Sequence, residues 1–373
     1  MPREIHSLAE FDTHIATHGT LADVVIQGVD LSERAEVLAR TPCAGATYLG
    51  SNLTDDALRS VLDQGAVVFP RLPDLPFDPY RAHLYRQGEL LEGWTAESGG
   101  FMTDALDSRI HAWASRHDHG RPVPVLDALA RRLHDHAIDD ALRDHLAHHP
   151  DVVAVMGGHG LRRGDDGYRT VVELGRLLTR AGWLVATGGG PGAMEAANLG
   201  AWLAPGDDRD IDIAIELLRA EPDFTVADRY LAAGQAVLDR FDGGSESVAV
   251  PTWFYGHEPT NQFASHIAKY FANSIREDGL LAIATRGVVF APGSAGTIQE
   301  VFQDATQNHY AVFGVVSPMV FLDHSFWRES LPAEPLLRRL AAERTYADLI
   351  GVADTAADVL EFLTANPPIR VRH

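Results

Sequence analysis

Apolar runs alternate with amphipathic segments along most of this chain. From Pro150 onward, short apolar runs that predict buried strands are separated by segments with the 3.6-residue period of a helix. The predicted strands are residues 152–156, 183–186, 248–250, 287–291, 319–322 and 349–352. The predicted helices are residues 169–181, 193–204, 262–276, 298–308, 326–343 and 356–363. This alternation predicts an α/β fold: a Rossmann-like, doubly wound parallel sheet with helices on both faces.

The first 150 residues alternate less regularly. Short strands are predicted at residues 23–29, 46–50 and 66–70, with helices at 32–40 and 54–64, and a helical pattern from about 106 to 150 with clear pieces at 125–136 and 138–148. We therefore expect a smaller N-terminal α/β region over residues 1–105 and a helical connector over 106–150. The Rossmann-like domain is expected over 151–373, with an acidic helical insertion at about 205–245.

Composition narrows the partners that this fold can have. The 373 residues carry a formal net charge of −21, which repels nucleic acid, so we expect no nucleic-acid partner. Cys43 is the only cysteine, which excludes an intramolecular disulfide and fits a reducing compartment. No apolar run approaches the roughly 20 residues of a membrane span, and the N-terminus does not resemble a secretory signal. We expect a cytoplasmic protein with a small-molecule ligand and no membrane partner.

Three of the predicted strands end in glycine clusters. They read MGGHGLRRGD at 156–165, TGGGPGAMEAA at 187–197 and PGSAGTIQE at 292–300. Glycine lets the backbone approach a ligand, and the helix that follows points free N–H groups at it. The carboxyl ends of parallel strands meet at one edge of a sheet, so we expect the three turns to line one crevice. Each turn taken alone is equally compatible with a tight strand-to-helix connection.

Two familiar nucleotide motifs are absent. The second strand ends without the carboxylate that holds the ribose of NAD, and the first turn misses the GxGxxG spacing by one residue. No GxxxxGK[ST] loop exists.

Lys269 is the only lysine and falls inside a predicted helix without the context of a Schiff-base lysine, which disfavours a pyridoxal enzyme. We expect no cofactor.

The second and third turns resemble a known family. TGGGPGAMEAA and PGSAGTIQE look like the GGGxxGxM and PGGxGTxxE signatures of the LONELY GUY (LOG) family, long labelled "possible lysine decarboxylase". The resemblance spans about residues 152–363, and the extra length suits longer bacterial members similar to nucleotide 5′-monophosphate nucleosidases. It implies hydrolysis of the N-glycosidic bond of nucleoside 5′-monophosphates, cytokinin ribotides or general nucleotides, to free base and ribose 5-phosphate. It also implies a homo-oligomer, at least a dimer.

The resemblance also implies a site. Glu300 matches the catalytic glutamate, which would stabilise the ribosyl cation or activate water. Arg276 is the candidate partner, although it lies one residue farther from Pro292 than the family pattern. The implied substrate-binding residues are Gly157, Gly158, Gly188, Gly189, Gly190, Gly192, Met194, Gly293, Ser294, Ala295, Gly296, Thr297, Thr306 and Asn308. Without the resemblance, Glu300 would read as an acid stabilising a helix N-terminus, and Arg276 as a surface arginine.

Three positions depart from the family pattern. Ser294 replaces a glycine of the phosphate loop, Thr187 stands where a first glycine is usual, and Glu195 follows the second signature where many members have glycine. These departures, with the insertion and the N-terminal region, favour general nucleotides over a dedicated cytokinin substrate. A non-catalytic nucleotide-binding or sensing protein remains the alternative, because the same sheet and turns would serve it.

Two further clusters have more than one interpretation. Eight histidines fall within residues 111–149, and His145 and His149 have the i, i+4 spacing that could share a metal. No third ligand follows a recognisable spacing, so we expect a solvated helical face and no metal. The aromatic run WFYGHE at 253–258 follows the third strand, where it could shape a base pocket or pack in the core.

Overall fold

The chain forms two compact units in this computed structural model, which describes residues 3–117, 122–255 and 258–371. The first unit comprises Met1–Leu84 and His117–Arg143, and the second comprises Tyr85–Arg116 and Asp144–His373. The domain boundaries expected near residues 105 and 150 stay predictions.

The first unit contains a small parallel sheet. Its strands are β1 (Glu4–Ile5), β2 (Val25–Gln27), β3 (Thr47–Leu49) and β4 (Val67–Phe69), paired in that order. Its helices are α1 (Leu8–His18), α2 (Ala35–Arg40) and α3 (Asp55–Asp63), and most of α7 (Val125–Leu146) belongs to it. Ser7 caps α1 through its side-chain oxygen, and Gly19 ends it in the left-handed conformation. Phe11, Ile26 and Tyr48 lie in its core. The predicted N-terminal α/β region is confirmed.

The second unit contains the longer sheet. Its strands are β5 (Val152–Met156), β6 (Leu184–Thr187), β7 (Ser247–Ala249), β8 (His266–Ile267), β9 (Gly287–Phe290), β11 (Met319–Leu322) and β12 (Ile350–Ala353), and β10 (Val315–Val316) pairs separately with β13 (Ile369–Arg370). Its helices are α4 (Gln87–Leu90), α5 (Phe101–Asp104), α6 (Leu106–Ala114), α8 (Asp166–Arg180), α9 (Ala193–Trp202), α10 (Asp208–Leu218), α11 (Ala227–Arg240), α12 (Asn273–Ala282), α13 (Ala295–Tyr310), α14 (Ala333–Ala341) and α15 (Ala356–Ala365).

The strand order identifies the sheet as doubly wound. The seven parallel strands are ordered β12-β11-β9-β5-β6-β7-β8, so the chain starts at β5, extends to one edge, and then returns to extend from β9 to the other. Every residue of β5 is buried, which is why that strand reads as an uninterrupted apolar run. The predicted fold class is confirmed, and ligands of such sheets bind where the strand order reverses, here between β5 and β9.

One predicted helix is wrong. The segment 262–276 was expected to be a single helix, but it contains the edge strand β8, and α12 begins only at Asn273. His266 pairs with Val248 of β7, and Lys269 lies in the extended chain that follows. Burial of this segment beside β7 overrides the helical pattern. The two pieces predicted at 125–136 and 138–148 are one helix, α7, which ends at Leu146.

Across the described ranges, no helix combines the length and the apolar character that a membrane crossing requires.

Candidate functional site

The three glycine-rich turns are bonded to one another. The N–H of Gly158 in the first turn donates to the carbonyl of Pro292 in the third, at 3.0 Å. The N–H of Ala193 in the second turn donates to the carbonyl of Gly158, at 3.2 Å. The first and third turns follow β5 and β9, which flank the point where the strand order reverses. The turns therefore form one continuous backbone surface.

Glycine is required where the turns touch. Gly192 has φ of +73°, and a Cβ there would lie 2.5 Å from the carbonyl oxygen of Gly158. A Cβ on Gly293 would lie 2.1 Å from the Thr297 hydroxyl. Both distances are far shorter than a real contact, so these two glycines set the spacing of the turns and do not themselves line the cavity.

A cavity of about 590 Å³ opens above the three turns. This volume is typical of a site for a small organic ligand. The turns contribute Gly157, Gly158 and His159; Gly188, Gly189, Gly190 and Met194; and Ser294, Ala295, Gly296, Thr297, Gln299 and Glu300. The rest of the lining includes Trp253, Thr260, Asn261, Lys269 and Arg276. All of these residues belong to the second unit.

The N-terminus of α13 presents unpaired donors to the cavity. The N–H of Ile298 closes the first turn of the helix on the carbonyl of Ser294, at 3.0 Å. The N–H groups of Ser294, Ala295, Gly296 and Thr297 have no hydrogen-bond partner among the described residues. Such donors, together with the positive end of the helix dipole, are suited to bind an anion. The Thr297 hydroxyl is likewise without a partner in the described part of the chain.

Arg276 places a cation in the same cavity. Its side chain is buried in the first turns of α12, where Nε donates to Asn273 Oδ1 at 3.0 Å and Nη2 to Glu277 Oε1 at 3.1 Å. Nη1 lies against the second glycine turn, 3.5 Å from where a Cβ on Gly188 would be. Within the described ranges Nη1 has no hydrogen-bond partner, so it remains available to a ligand.

Glu300 lines the same cavity from the second turn of α13. Burial raises the pKa of its carboxyl group to about 7, partly opposed by the positive charge of Arg276 and reinforced by the negative charge of Glu277. Among the described residues no hydrogen bond or ion pair holds this carboxyl group. The two predicted catalytic residues therefore share the cavity, but the partner that Arg276 binds directly is Glu277.

Two further carboxylates in the cavity were not predicted. Glu277 accepts hydrogen bonds from Arg276, Asn273, Tyr255 and Gln299, so it fixes the orientation of the arginine. Glu258 lies 3.8 Å from His159, and burial raises its pKa. The one local clue to Glu277 is its position directly after Arg276. Glu258 ends the run at 253–258 that was expected to shape a base pocket or pack in the core, but no role was predicted for its carboxylate.

Lys269 belongs to a buried polar cluster in the cavity wall. Its ammonium group donates to both carboxylate oxygens of Asp107, at 2.7 and 2.9 Å. Asp107 is fully buried and also accepts from Trp253 Nε1 and the Thr260 hydroxyl, each at 2.7 Å. Lys269 thus reaches the cavity from extended backbone, not from the middle of a helix as predicted. Its charge is already paired, which leaves it a positioning role.

Some predicted binding residues lie elsewhere. Thr306 is exposed and its hydroxyl donates back to the carbonyl of Phe302 within α13. Asn308 is buried and bonds in both directions to the backbone of Ser317, so it anchors the chain that leads to β11. Of the aromatic run, Trp253 and Tyr255 line the cavity, whereas Gly256 and His257 lie outside the described residues.

Two departures from the family pattern have structural explanations. The Thr187 hydroxyl accepts from the N–H of Gly189 at 3.1 Å and donates to Asn198 Oδ1 at 2.6 Å, so it braces the second turn. Glu195 is buried and forms an ion pair with Arg163. Its carboxylate also accepts from the hydroxyls of Tyr168 and Tyr230, both at 2.8 Å. The glutamate joins the second turn to the loop after β5.

Comparison with known proteins gives a class for part of the chain. A family model described as the SLOG cluster4 family matches residues 151–207, which contain the first two glycine turns. This match supports the SLOG superfamily for that segment and does not single out the LOG family within it. No curated protein matches the sequence.

Among solved structures, the molybdenum cofactor binding protein of Rippkaea orientalis is 15% identical, with a TM-score of 0.37 over 58% of this chain and 96% of that protein. The molybdenum cofactor carrier protein of Chlamydomonas reinhardtii is 18% identical, with a TM-score of 0.35 over 58% of this chain and 99% of that protein. At these values neither similarity carries an argument about ligand or activity.

Proposed function

We propose that the cavity binds a nucleoside 5′-monophosphate and that the chain hydrolyses its N-glycosidic bond, giving the free base and ribose 5-phosphate. One observation supports this proposal above the others. The unpaired N–H groups at the start of α13 and the unpaired carboxyl group of Glu300 lie in one cavity, within about two turns of the same helix. A phosphate held by the first would bring a ribose close to the second.

The phosphate is held by backbone and by one cation. The N–H groups of Ser294, Ala295, Gly296 and Thr297 donate to its oxygens, and Thr297 adds its hydroxyl. Nη1 of Arg276 supplies positive charge that the acidic surface of the protein does not. Glu277 and Asn273 hold the guanidinium group in place, so little conformational entropy is lost when the ligand binds.

The reaction breaks the bond between the ribose C1′ and the nitrogen of the base. Positive charge develops on the ribose ring, and ionised Glu300 stabilises that charge or removes a proton from the attacking water. The hydroxyl of that water adds to C1′, and the base leaves with the bonding electrons and takes up a proton. Because the pKa of Glu300 is about 7, kcat/KM should rise with pH through that region.

The proposal also covers the base, the range of substrates, the location and the oligomeric state. Trp253 and Tyr255 offer aromatic surface at the cavity for the base. The substrates are general nucleotides rather than a dedicated cytokinin ribotide, and the protein acts in the cytoplasm as a homo-oligomer.

A nucleotide-binding protein without turnover is the second candidate. The direct ion pair of Arg276 with Glu277 favours this candidate. Arg276 was expected to be the partner of Glu300, and its pairing with Glu277 leaves the Glu300 carboxyl group without an ion pair among the described residues. A carrier or sensor needs only the anion site and the aromatic surface.

Product analysis separates the two candidates. The protein is incubated with AMP, GMP, IMP, CMP and UMP, and free base and ribose 5-phosphate are quantified while binding is measured by calorimetry. Hydrolysis of at least one nucleotide, lost in Glu300→Gln with binding retained, is the expected result. The control is Glu361→Gln, an exposed glutamate on α15. Binding without any product would favour the second candidate, and neither binding nor product would refute both.

A further inference from the structure

A second cluster of chemically reactive side chains lies at the amino end of β7, whereas the cavity lies at the carboxyl ends of the strands. We infer that His145, His149 and Glu246 form a binding site for a divalent transition-metal ion, for which zinc is the best match. His145 and His149 come from the end of α7 and the turn after it, and Glu246 directly precedes β7. All three belong to the second unit.

The distances suit one ion. One ligand atom from each of the three side chains lies within 4.8 Å of the other two. His149 Nε2 and Glu246 Oε2 are 3.3 Å apart, close to the ~3.4 Å that separates two ligands at tetrahedral angles around zinc with bonds of about 2.1 Å. Imidazole nitrogen with one carboxylate oxygen is a donor set that zinc accepts.

The local backbone places the two histidines together. After α7 ends at Leu146, the N–H of His148 donates to the carbonyl of His145, and the N–H of His149 donates to the carbonyl of Leu146. The turn therefore continues the rotation of the helix for one more step. The imidazole rings lie 4.9 Å apart, centroid to centroid, on the same side of the chain. The i, i+4 spacing noticed in the sequence is thus a spatial pair.

One buried ring nitrogen at the cluster has nothing to bind. Nε2 of His145 is buried, and no described residue offers it a hydrogen bond. An unsatisfied buried polar group destabilises the folded state, so a ligand that pairs with this nitrogen is favoured. The ring of His266 packs on that of His145 at 4.0 Å and limits its rotation, and Ser265 Oγ lies 2.9 Å from His266 Nδ1. The unpaired nitrogen and the packed rings suit coordination of a metal ion.

Charge at the cluster is mixed. Arg86 lies close enough to act on His145 and His266, and it donates to the carbonyl of Ser265 at 3.0 Å. Its positive charge opposes a cation, and Glu246 offsets it. Three protein ligands also leave a coordination position for water, and the half-exposed Glu246 keeps that position accessible. An ion held in this way exchanges with solvent, so a chelator should remove it.

The test uses the full chain without an affinity tag, stripped with EDTA and titrated with Zn²⁺ against a chromophoric chelator. We expect one zinc ion per chain and tetrahedral d–d absorption when Co²⁺ replaces zinc. His149→Ala and Glu246→Gln should each weaken binding by about tenfold or more. His148→Ala is the matched control, because it removes an exposed neighbouring imidazole and leaves the cluster intact.

Three results would overturn the inference. The first is the absence of saturable binding at one equivalent. The second is equal affinity of His148→Ala and His149→Ala, which would show that zinc binds histidines in general. The third is an octahedral Co²⁺ spectrum unchanged by Glu246→Gln. A circular dichroism spectrum for each variant establishes that loss of binding is not loss of fold.

Discussion

Replacing Glu300 by glutamine should make the protein more stable, and the gain should grow with pH. In the folded chain the pKa of this carboxyl group is raised from an ordinary 4.5 to about 7, chiefly by burial. The folded state therefore keeps a proton that the unfolded state has released. Stability falls as pH rises from 4.5 toward 7, and above 7 the full cost of burying the charge is present. Glutamine has the same shape and carries no such cost.

The size of the effect follows from the two pKa values. One pH unit of difference corresponds to about 1.4 kcal/mol, so a shift from 4.5 to about 7 corresponds to ~3 kcal/mol at alkaline pH. Water in the cavity screens part of this charge, so ~3 kcal/mol is an upper limit. At about pH 5.5 the expected gain is ~1.4 kcal/mol, and at about pH 8.5 it approaches the limit. The growth of ~2 kcal/mol between these two conditions is the quantity to measure.

Urea unfolding, followed by tryptophan fluorescence, measures how much the stability gain of Glu300→Gln grows between the two pH values. All six tryptophans lie in the second unit, so the signal reports on the unit that contains Glu300. The exposed Glu361→Gln on α15 serves as the control and should show no growth with pH. A gain for Glu300→Gln that is the same at both pH values would refute the reasoning, because it would mean that the folded protein compensates the charge of Glu300.

Three further substitutions test other parts of the site. Lys269→Met should destabilise the protein by about 3 kcal/mol or more in urea unfolding, because Asp107 would keep a buried charge without its cation. The control is Arg219→Met, which removes an exposed ion pair and should cost less than about 1 kcal/mol. Gly192→Ala should lower the free energy of unfolding by more than about 2 kcal/mol, because Gly192 has a positive φ and an added Cβ would clash with Gly158. The control Gly279→Ala has open space around it inside α12, so it should be neutral or stabilising by up to about 1 kcal/mol. Thr297→Val should weaken binding of AMP by up to about tenfold in calorimetry and leave binding of adenosine unchanged, and equal losses for both ligands would contradict a phosphate contact.

The features that sequence predicts well are those encoded within a few residues. The buried strands, the glycine turns and the placement of Glu300 after the third turn all follow from local period and composition, and the structure has them within a few residues of the predicted bounds. The same is true of Thr297, which lines the cavity. Parallel topology then brings the turns together, because successive strands end at the same edge of the sheet.

The features that sequence misses depend on residues far apart in the chain. Asp107 and Lys269 form an ion pair across 162 positions, and neither has a local motif. Glu246 is likewise far from His149 in the sequence but close to it in the structure. For this reason the sequence around the two histidines did not indicate a third ligand. Strand β8 was mistaken for a helix because two residues at a sheet edge carry too short a pattern, and pairing with β7 decides their conformation.

The position of Asp107 also has a practical consequence for anyone who shortens this protein. Asp107 lies on α6, ahead of β5, yet it anchors Lys269, Trp253 and Thr260 in the cavity wall. A chain cut to begin at Asp151 would retain every strand of the long sheet and all three glycine turns. It would nevertheless have an ammonium group, an indole N–H and a hydroxyl facing an empty space. The smallest autonomous form of the site therefore begins before α6, well upstream of the first strand of its sheet.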